Sequence, residues 1–300
     1  MKNNFFGATC FRILIVGLSF LLFPIGSDAA ATAGQAGSPP DPIVVRIADG
    51  FFRAFVPESF HTNIGVLAGP DGLLLIDTGH APKAVPQLRA ALKAISALPV
   101  KFIIHTHKHG DHMAGDELGS ADTVLVDRNR LDNLAARGIL KGPAASGASG
   151  AAAFGPSYLL RFNGEDIFLF TAGGIHSADD ILIYIPGKSI LQTGDLFLSQ
   201  CFPATENVGD YMAFLDRVIA SFPDGTRFVP GHGRDVDKAG FKAYRDMLAR
   251  ANEIVRTAKG RGMSLDDMLK DRILKEFDSW HTLLDWLGTD FWTRAVFMSN

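Results

Sequence analysis

The sequence predicts an α+β fold in which a β-rich layer, with helices outside it, forms two similar halves and is followed by a helical tail. Short apolar runs bounded by Gly, Pro and Asp recur in two groups, as expected of strands. Segments with helical spacing of their apolar residues separate these runs, and from residue 234 onward helical spacing dominates. With 300 residues, 47% of them hydrophobic, the chain is long enough to bury a sizeable core.

The N-terminus, residues 1–33, has the three-part layout of a secretory signal peptide. A basic segment precedes an apolar stretch at 13–25, and small residues follow that stretch. The stretch is shorter than the ~20 residues that span a membrane, which favours a cleaved signal over an anchor. We therefore expect cleavage after Ala30 or Ala33, export to the periplasm or the medium, and no stable membrane insertion afterwards. Residues 34–42 are predicted to be a flexible lead-in.

Cysteine usage and charge narrow the class of protein further. Cys10 would leave with the signal, so Cys201 alone remains and no intrachain disulfide can form. The formal net charge is −3, and lysine and arginine are scattered, with no basic block longer than "GRG" at 260–262. This distribution argues against nucleic acid and anionic lipid as partners.

The first half begins with short strands separated by turns. The predicted strands are IVVRIA, FFRAFV, NIGVLAG and LLLID, with PVKFIIHT and ADTVLVD following a helix at 83–95. A helix over RNRLDNLAARG is expected to stop at Gly138.

The second half repeats this pattern after a Gly/Ala/Ser-rich loop at 139–156. Its predicted strands are YLLRF, DIFLF, DILIYI, SILQTGD and, after a helix at about 209–221, RFVPG. The remainder is predicted to be helical, with Ser264 and Asp267 in an N-cap arrangement at the start of a helix over 264–277. The aromatic segment at 281–300 is expected to pack back on the core.

The stretch "HTHKHGDHMAG" (105–115) places four of the nine histidines in eight positions, directly after an apolar strand. Zinc prefers imidazole and carboxylate ligands, and catalytic sites keep one position open for water. Strand alternation predicts that His107 and His109 point the same way. A turn permitted by Gly110 would then bring Asp111 and His112 to a second point nearby. One segment is thus predicted to serve two adjacent metals. Lys108 is expected to point away into solvent.

The remaining ligands are expected at the ends of other strands. His176 lies in a loop between two predicted strands, Asp195 ends the strand of "LQTGDLF", and His232 follows "FVPG". An isolated loop histidine is more often a surface residue, and "TGD" alone is a common turn. Next to the dense cluster, however, these three residues become the natural partners. Five histidines and two aspartates suit two ions.

These motifs resemble those of the metallo-β-lactamase fold hydrolases. "THKHGDH" matches the family's T-H-x-H-x-D-H signature, "LLLIDTG" (73–79) matches its strand and D-T-G motif, and the later histidines and "TGD" follow the family order. The resemblance covers residues 43–245, which we take as the hydrolase domain, with 246–300 as a helical extension packed on it. It implies a four-layer αββα sandwich with the site at one edge of the two sheets.

The resemblance also implies a role for each site residue. His107, His109 and His176 would hold one zinc, and Asp111, His112 and His232 a second. Asp195 would bridge the two Zn²⁺ ions, with Fe or Mn as possible substitutes. Asp77 would support the site from behind, although it can equally be only a strand-end turn former.

The chain departs from the family pattern at two places. "GIHSADD" replaces the usual sequence around the third histidine, which leaves the geometry of that loop open. Relatives that destroy β-lactams usually carry Cys or Ser where Asp195 stands, whereas Asp is typical of thioesterases, lactonases and phosphodiesterases. Hydrolysis of an ester, lactone, thioester or amide bond of a small molecule is therefore expected before β-lactam hydrolysis.

The expected chemistry is metal-assisted hydrolysis. Two zincs that share a hydroxide supply a nucleophile at neutral pH, and Asp111 would orient it and shuttle its proton. Three alternatives remain: a phosphodiesterase or nuclease, a di-iron redox enzyme and a non-catalytic zinc protein. The export signal and the lack of a basic groove oppose a nuclease. Substrate identity and oligomeric state cannot be read from the sequence, but 53–63, with Phe55, Phe60 and His61, and the 139–156 loop are expected near the mouth.

Overall fold

The structure is a computed structural model that describes residues 42–56, 61–79, 85–144, 154–205, 207–280 and 284–299. The predicted signal peptide, nearly all of the lead-in, Phe60 and residues 145–153 of the Gly/Ala-rich loop lie outside these ranges. One compact unit extends from Pro39 to Asn300.

The first sheet contains six strands in chain order, β1 to β6. Their bounds are Ile43–Ala48, Phe51–Phe55, Ile64–Gly69, Gly72–Ile76, Val100–Ile104 and Val124–Val126. The first four strands pair antiparallel, whereas β4, β5 and β6 run parallel to one another. The carboxyl ends of these three parallel strands therefore lie at one edge of the sheet.

The second sheet contains seven strands in the order β13-β12-β11-β10-β9-β8-β7. From β7 to β13 their bounds are Lys141–Ala144, Ser157–Phe162, Glu165–Thr171, Ile181–Ile185, Ile190–Leu198, Arg227–His232 and Val236–Asp237. Here β11 and β12 are the parallel pair. Each half thus supplies one mixed sheet, as the two groups of apolar runs predicted.

In the described ranges, seven α-helices connect and follow the strands. From α1 to α7 they are Val85–Ile95, Gly110–Met113, Leu131–Ala136, Val208–Ser221, Lys238–Gly260, Leu265–Lys270 and Thr289–Met298. Helix α3 is shorter than predicted because Asp127 makes a turn before it: its carboxylate accepts from the Asn129 amide and pairs with Arg130. Within the described ranges, no helix has the length and apolar character needed to cross a bilayer.

Alternating residues of one strand face two different cores. In β4, Leu74 and Ile76 point between the sheets, whereas Leu73 and Leu75 pack on the outer side with α1. The same alternation holds in β10, where Ile181, Ile183 and Ile185 face inward and Leu182 and Tyr184 face outward. Both sheets are covered on both faces except at the edge strand β1, where Ile43, Val44 and Val45 are exposed. This produces the four-layer αββα sandwich, and the predicted fold class is confirmed.

The C-terminal helices cover the outer face of the second sheet. Trp292 of α7 is fully buried, donates to Asn252 of α5 at 2.9 Å and stacks on Phe202. The proposed division at residues 245–246 falls inside α5, so the sandwich and the extension share a helix. The helix predicted over 264–277 ends at Lys270 and is followed by a separate 3₁₀ segment at Lys275–Trp280.

Candidate metal centre

The site lies where the parallel strands of both sheets end. Asp77 follows β4 and His107 follows β5, and the Asp77 amide donates to the carbonyl of Ile104 at 2.8 Å. In the second sheet, Asp195 lies within β11 and His232 is the last residue of the adjacent β12. The Ile181 amide of β10 donates to the Thr106 carbonyl at 2.8 Å, which ties the two edges together.

The structure brings all seven predicted ligands together in two groups that share one carboxylate. In each group the donor atoms lie within 4.8 Å of one another; the groups are His107, His109, His176 and Asp195, and Asp111, His112, Asp195 and His232. Asp195 Oδ2 is 3.8 Å from His107 Nε2 and 3.6 Å from His176 Nε2. Its Oδ1 is 3.2 Å from His112 Nε2 and 3.4 Å from His232 Nε2. This division into groups is the one that the family resemblance implied.

The chain reverses at the histidine signature through a short helix, not through a glycine turn. Strand β5 ends at Ile104, and α2 begins at Gly110 with His109 as its N-cap residue. Gly110 has an ordinary negative φ, and nothing lies within 4 Å of the position of an added Cβ. The expected role of Gly110 was therefore wrong. Helical geometry separates His109 from Asp111 and His112 and so directs them to different groups.

Partners on the far side of the imidazole rings orient them toward the cluster. His112 Nδ1 lies 2.9 Å from Asp77 Oδ2, and His107 Nδ1 lies 3.0 Å from Thr106 Oγ1. His176 Nδ1 lies 3.2 Å from the carbonyl of Ala204. The Nε2 atoms of these three rings face the cluster. Partners of this kind hold a metal-binding histidine in one tautomer and orientation.

Asp77 is the buried residue that connects several of these partners. It is fully buried and accepts from the amide and the hydroxyl of Thr106, both at 2.8 Å, as well as contacting His112. Its φ of +61° is a left-handed conformation that Asp adopts more readily than most residues. Asp77 therefore both turns the chain and binds the signature segment.

The loop that carries His176 is organised by Asp180, which the sequence analysis did not single out. The Asp180 carboxylate accepts from the amides of His176 and Ser177 at 2.9 and 2.8 Å, and from the Ser177 hydroxyl at 2.6 Å. Burial raises the pKa of Asp180 despite these bonds. These bonds make the departure "HSADD" a locally bonded turn. Lys108, which was expected to point into solvent, is exposed and lies 4.0 Å from Asp179. The run of Ser and Asp was the available signal.

Several polar atoms of the cluster are buried without a hydrogen bond. Among the described residues these include His107 Nε2, His112 Nε2 and Asp195 Oδ1. His112 Nε2 and Asp195 Oδ1 are 3.2 Å apart, yet they are not oriented as a hydrogen bond. Buried polar atoms are nearly always satisfied in folded proteins, so such a convergence needs a partner. Imidazole nitrogens and carboxylate oxygens are the ligand set of a divalent metal, and these residues fit one.

The two groups differ in electrostatics. Burial lowers the pKa of His107 to about 4. Burial by itself would also lower the pKa of His232 and His112. The negative charge of Asp195 and of the other neighbouring carboxylates outweighs this effect of burial. These carboxylates raise the pKa of His232 to about 9 and that of His112 well above its usual value. The same contacts overcome the burial of Asp195 and lower its pKa.

These pKa shifts predict that metal uptake at pH 7 releases protons from the second group. A metal ligand must be a neutral imidazole, whereas His112 and His232 hold protons in the metal-free protein at pH 7. His107 is already neutral. Metal affinity should therefore rise with pH through the pKa of His232, which is about 9. Calorimetric titration with zinc in buffers of different ionisation enthalpy measures the released protons. Uptake of the second equivalent without proton release at pH 7 would contradict this assignment.

Arg53 and Asn63, which sequence reasoning placed in a mouth-forming segment, instead brace the turn that carries His232. The Asn63 side-chain amide donates to the carbonyls of Pro230 and Gly233, both at 2.9 Å. The Asn63 backbone amide donates to the carbonyl of Gly231 at 2.8 Å. Arg53 donates to Asn63 Oδ1 at 3.0 Å and to Asp235 at 3.1 Å. Burial lowers the pKa of Arg53, and Asp235 opposes that shift.

Replacing Asn63 with alanine should weaken the second group selectively. The change removes one hydrogen bond each from the carbonyls of Pro230 and Gly233 and from Arg53 Nη1, and the latter two keep only their mutual bond at 3.4 Å. This should cost about 3 kcal/mol of unfolding free energy. It should lower occupancy at the group containing His232 more than at the group containing His107. Metal analysis and urea denaturation measure the two effects. Arg227→Ala is the control, because Arg227 is the exposed partner of Asp235 and should cost less than about 1 kcal/mol.

Residue 231 must be glycine because strands β11 and β12 approach each other closely there. A Cβ at this position would collide with Asp195 Oδ1 and lie 2.8 Å from the carbonyl carbon of Gly194. Strands β11 and β12 therefore come close enough to bring Asp195 and His232 together only because residue 231 has no side chain.

An αββα sandwich with histidines and aspartates gathered at the shared edge of its sheets defines the class of metal-dependent hydrolases. The profile of the metallo-beta-lactamase superfamily matches residues 58–232. The chain belongs to this superfamily, and it is an enzyme of the hydrolase type.

Several known proteins are similar to this chain over about two thirds of its length or more. The beta-lactamase-like protein 2 homolog of Caenorhabditis elegans is 25% identical over 66% of this chain and 65% of its own length. The linear primary-alkylsulfatase of Pseudomonas sp. (strain ATCC 19151) is 22% identical over 68% of this chain and 48% of its own length. The chain thus spans about two thirds of the length of the first relative and about half of the length of the second. The solved structure of a stereoselective inverting sec-alkylsulfatase from Pseudomonas sp. has a TM-score of 0.61 at 15% identity and covers 85% of this chain and 50% of the other.

Proposed function

We propose that this chain is a zinc-dependent hydrolase that cleaves an ester, lactone, thioester or amide bond of a small molecule, with one metal in each group. The observation that carries the proposal is the position of Asp195, whose two oxygens face different sets of imidazoles at 3.2 to 3.8 Å. When bound, such a pair of ions supplies a water nucleophile at neutral pH and withdraws charge from the oxygen of the scissile group.

The exposure of the cluster indicates the direction of substrate approach. His109 is exposed and the Asp111 side chain is 26% exposed, whereas His107, His112 and His232 are buried. Substrate would therefore reach the cluster from the side of His109 and Asp111. The buried rings exclude water from the opposite side, so attack would occur on one face of the bond.

Asp111 has the geometry of an orienting residue. Its Oδ2 lies 3.2 Å from His232 Nε2. Burial alone would raise its pKa, but the hydrogen bond with His232 and the charge of His112 outweigh burial and lower the pKa to about 2. Asp111 is therefore ionised in the metal-free protein, and a carboxylate that ligates a metal stays ionised. It would accept a hydrogen bond from the attacking water and would carry a proton only briefly.

A substrate panel combined with metal analysis tests the proposal. The zinc-loaded protein should hydrolyse at least one ester, lactone or thioester, and activity should rise and fall with metal content as zinc is removed by a chelator and restored. β-Lactams and phosphodiesters belong in the same panel, and turnover confined to either would replace the proposed substrate class. Tightly held zinc without turnover of any compound would support the non-catalytic alternative.

Alkyl sulfate esters form a second candidate class of substrate. The alkylsulfatase from Pseudomonas sp. matches 68% of this chain, and it motivates the inclusion of a linear alkyl sulfate in the panel. Release of inorganic sulfate would establish this activity.

We also propose that the protein is exported with its first 30 or 33 residues removed. The basic segment and the short apolar stretch at 13–25 support this proposal. Mass spectrometry of protein recovered from the periplasm or the medium should find a mature N-terminus at residue 31 or 34. An intact N-terminus retained inside the cell would contradict it.

A further inference from the structure

We propose that a cavity beside the His176 loop is a substrate subsite for an anionic group attached to an apolar or aromatic body. The cavity has a volume of about 400 Å³ and is lined by Arg128, Phe154, Gly173, Ile175, Phe214 and Arg217. The inference rests on the proposed hydrolase function, because it names the chemical class of substrate for the same site. Ligand sites commonly have volumes of this order.

The topology places this cavity at the same edge as the metal centre. Strands β5 and β6 are parallel, with Ile104 opposite Val126, so Thr106 and Arg128 leave the sheet together. The His105 amide donates to the Val126 carbonyl at 2.9 Å, which extends this pairing toward the signature. Arg128 thus emerges beside the segment that carries the clustered histidines.

The loop between β9 and β10 forms the wall between cavity and metals. Its Gly173, Ile175 and Ala178 line the cavity, whereas the ring of His176 reaches His109, with 3.1 Å between Nε2 and Nδ1. One loop therefore serves both spaces, and its shape is held by Asp180. A ligand group in the cavity would sit one residue from a predicted metal ligand.

The two arginines contribute positive charge that no carboxylate in the described part of the chain neutralises through an ion pair. Neither guanidinium lies within 4 Å of a described carboxylate, and neither makes a hydrogen bond there. The nearby acids are engaged elsewhere, as the contacts Asp127–Arg130, Asp132–Tyr158 and Asp216–Arg245 illustrate.

Apart from the two arginines and Thr171, the lining residues are apolar or glycine. Phe214 is buried and stands one helical turn from Arg217 on α4. Phe154 packs against it, with ring centroids 6.0 Å apart, and Ile175 is half-buried. Two guanidiniums over aromatic and aliphatic walls suit a carboxylate or sulfonate on an aryl or alkyl group, because the planar fork of arginine binds such anions through two parallel hydrogen bonds.

Two matched esters test the proposal: phenyl acetate and its para-carboxylate analogue, 4-acetoxybenzoate. The wild-type zinc enzyme should have the higher kcat/KM for the carboxylate. The double variant Arg128→Gln, Arg217→Gln should lose this preference by about tenfold or more while its zinc content and its activity on phenyl acetate stay unchanged. Arg217→Gln alone, at an exposed position, should produce a smaller loss in the same direction. Arg137→Gln is the control, since Arg137 is exposed and lies away from the cavity lining.

Binding of 2-naphthalenesulfonate, which needs no turnover, separates this proposal from the proposed function. Calorimetry on the zinc-loaded protein should detect binding that weakens about tenfold in the double variant and is unchanged in Arg137→Gln. If neither ester is hydrolysed but this pattern holds, the hydrolase proposal fails for esters and the subsite stands. Equal binding and equal ester preference in wild type and double variant would overturn the subsite, because the anion would then be held elsewhere, for instance at the metals.

Discussion

Replacing Asp195 with alanine is expected to strip metal from both groups at once and to lower hydrolytic activity by at least about 100-fold. The factor is a lower bound, because even the loss of a partner behind a ligand costs about 10- to 100-fold in affinity or activity. Asp195 is the one residue that belongs to both groups, with one oxygen facing each. Its removal also lowers the pKa of His112 and His232, which eases the loss of their protons but does not replace the lost ligand. Metal analysis of the purified variant, together with kinetics on the best panel substrate, measures both effects.

Asp166→Ala is the matched control for this experiment. Asp166 is an exposed carboxylate of the same sheet, paired only with exposed Arg161, and its loss should change neither zinc content nor activity. Full turnover by Asp195→Ala with a single metal equivalent would refute the shared role of this carboxylate.

Substitutions of Asp77 should separate a supporting residue from a simple turn former. Asparagine tolerates the positive φ of this position, so Asp77→Asn should preserve the turn. It removes the negative charge behind His112, and metal affinity should therefore fall about 10- to 100-fold. Asp77→Ala removes the acceptors of Thr106 as well and should cost about 3 to 5 kcal/mol of unfolding free energy. Chemical denaturation and zinc competition measure the two quantities.

The control for Asp77 is Asp71→Asn. Asp71 also accepts a backbone amide at a turn, from Asn163, but it is exposed and away from the cluster. Its substitution should leave zinc affinity unchanged. Zinc affinity of Asp77→Asn equal to that of the wild type would reduce Asp77 to a turn former.

The sandwich and the membership of the cluster were predictable because their signals are local. Continuous apolar runs such as "LLLID" and "DILIYI" mark strands buried on both faces, and each candidate ligand follows or ends such a strand. Parallel strands bring these ends to one edge. The order of residues along the chain was thus enough to place His107, Asp195 and His232 in one region.

The bracing of His232 could not be predicted, because its partners are distant in sequence. Asn63 and the carbonyl of Pro230 are 167 positions apart, and a single Asn before a strand carries no signal of such a contact. A similar limit applies to the helix predicted over 264–277. The periodicity of 264–277 suggests one helix, but Met268, Leu274 and Phe277 are all buried in the same core, and the chain breaks at Arg272, with φ of +48°, to bury them together.

The predicted metal ligands come from both sheets, and this affects the lifetime of the protein. The signature segment extends from the first sheet, whereas His176, Asp195 and His232 belong to the second, so each ion would fasten one half of the sandwich to the other. Binding to the native state alone adds about 1.4 kcal/mol for each tenfold excess of free metal over Kd. Shortage of the ion would then expose this protein to proteolysis as well as inactivate it, and the supply of the ion would regulate its abundance.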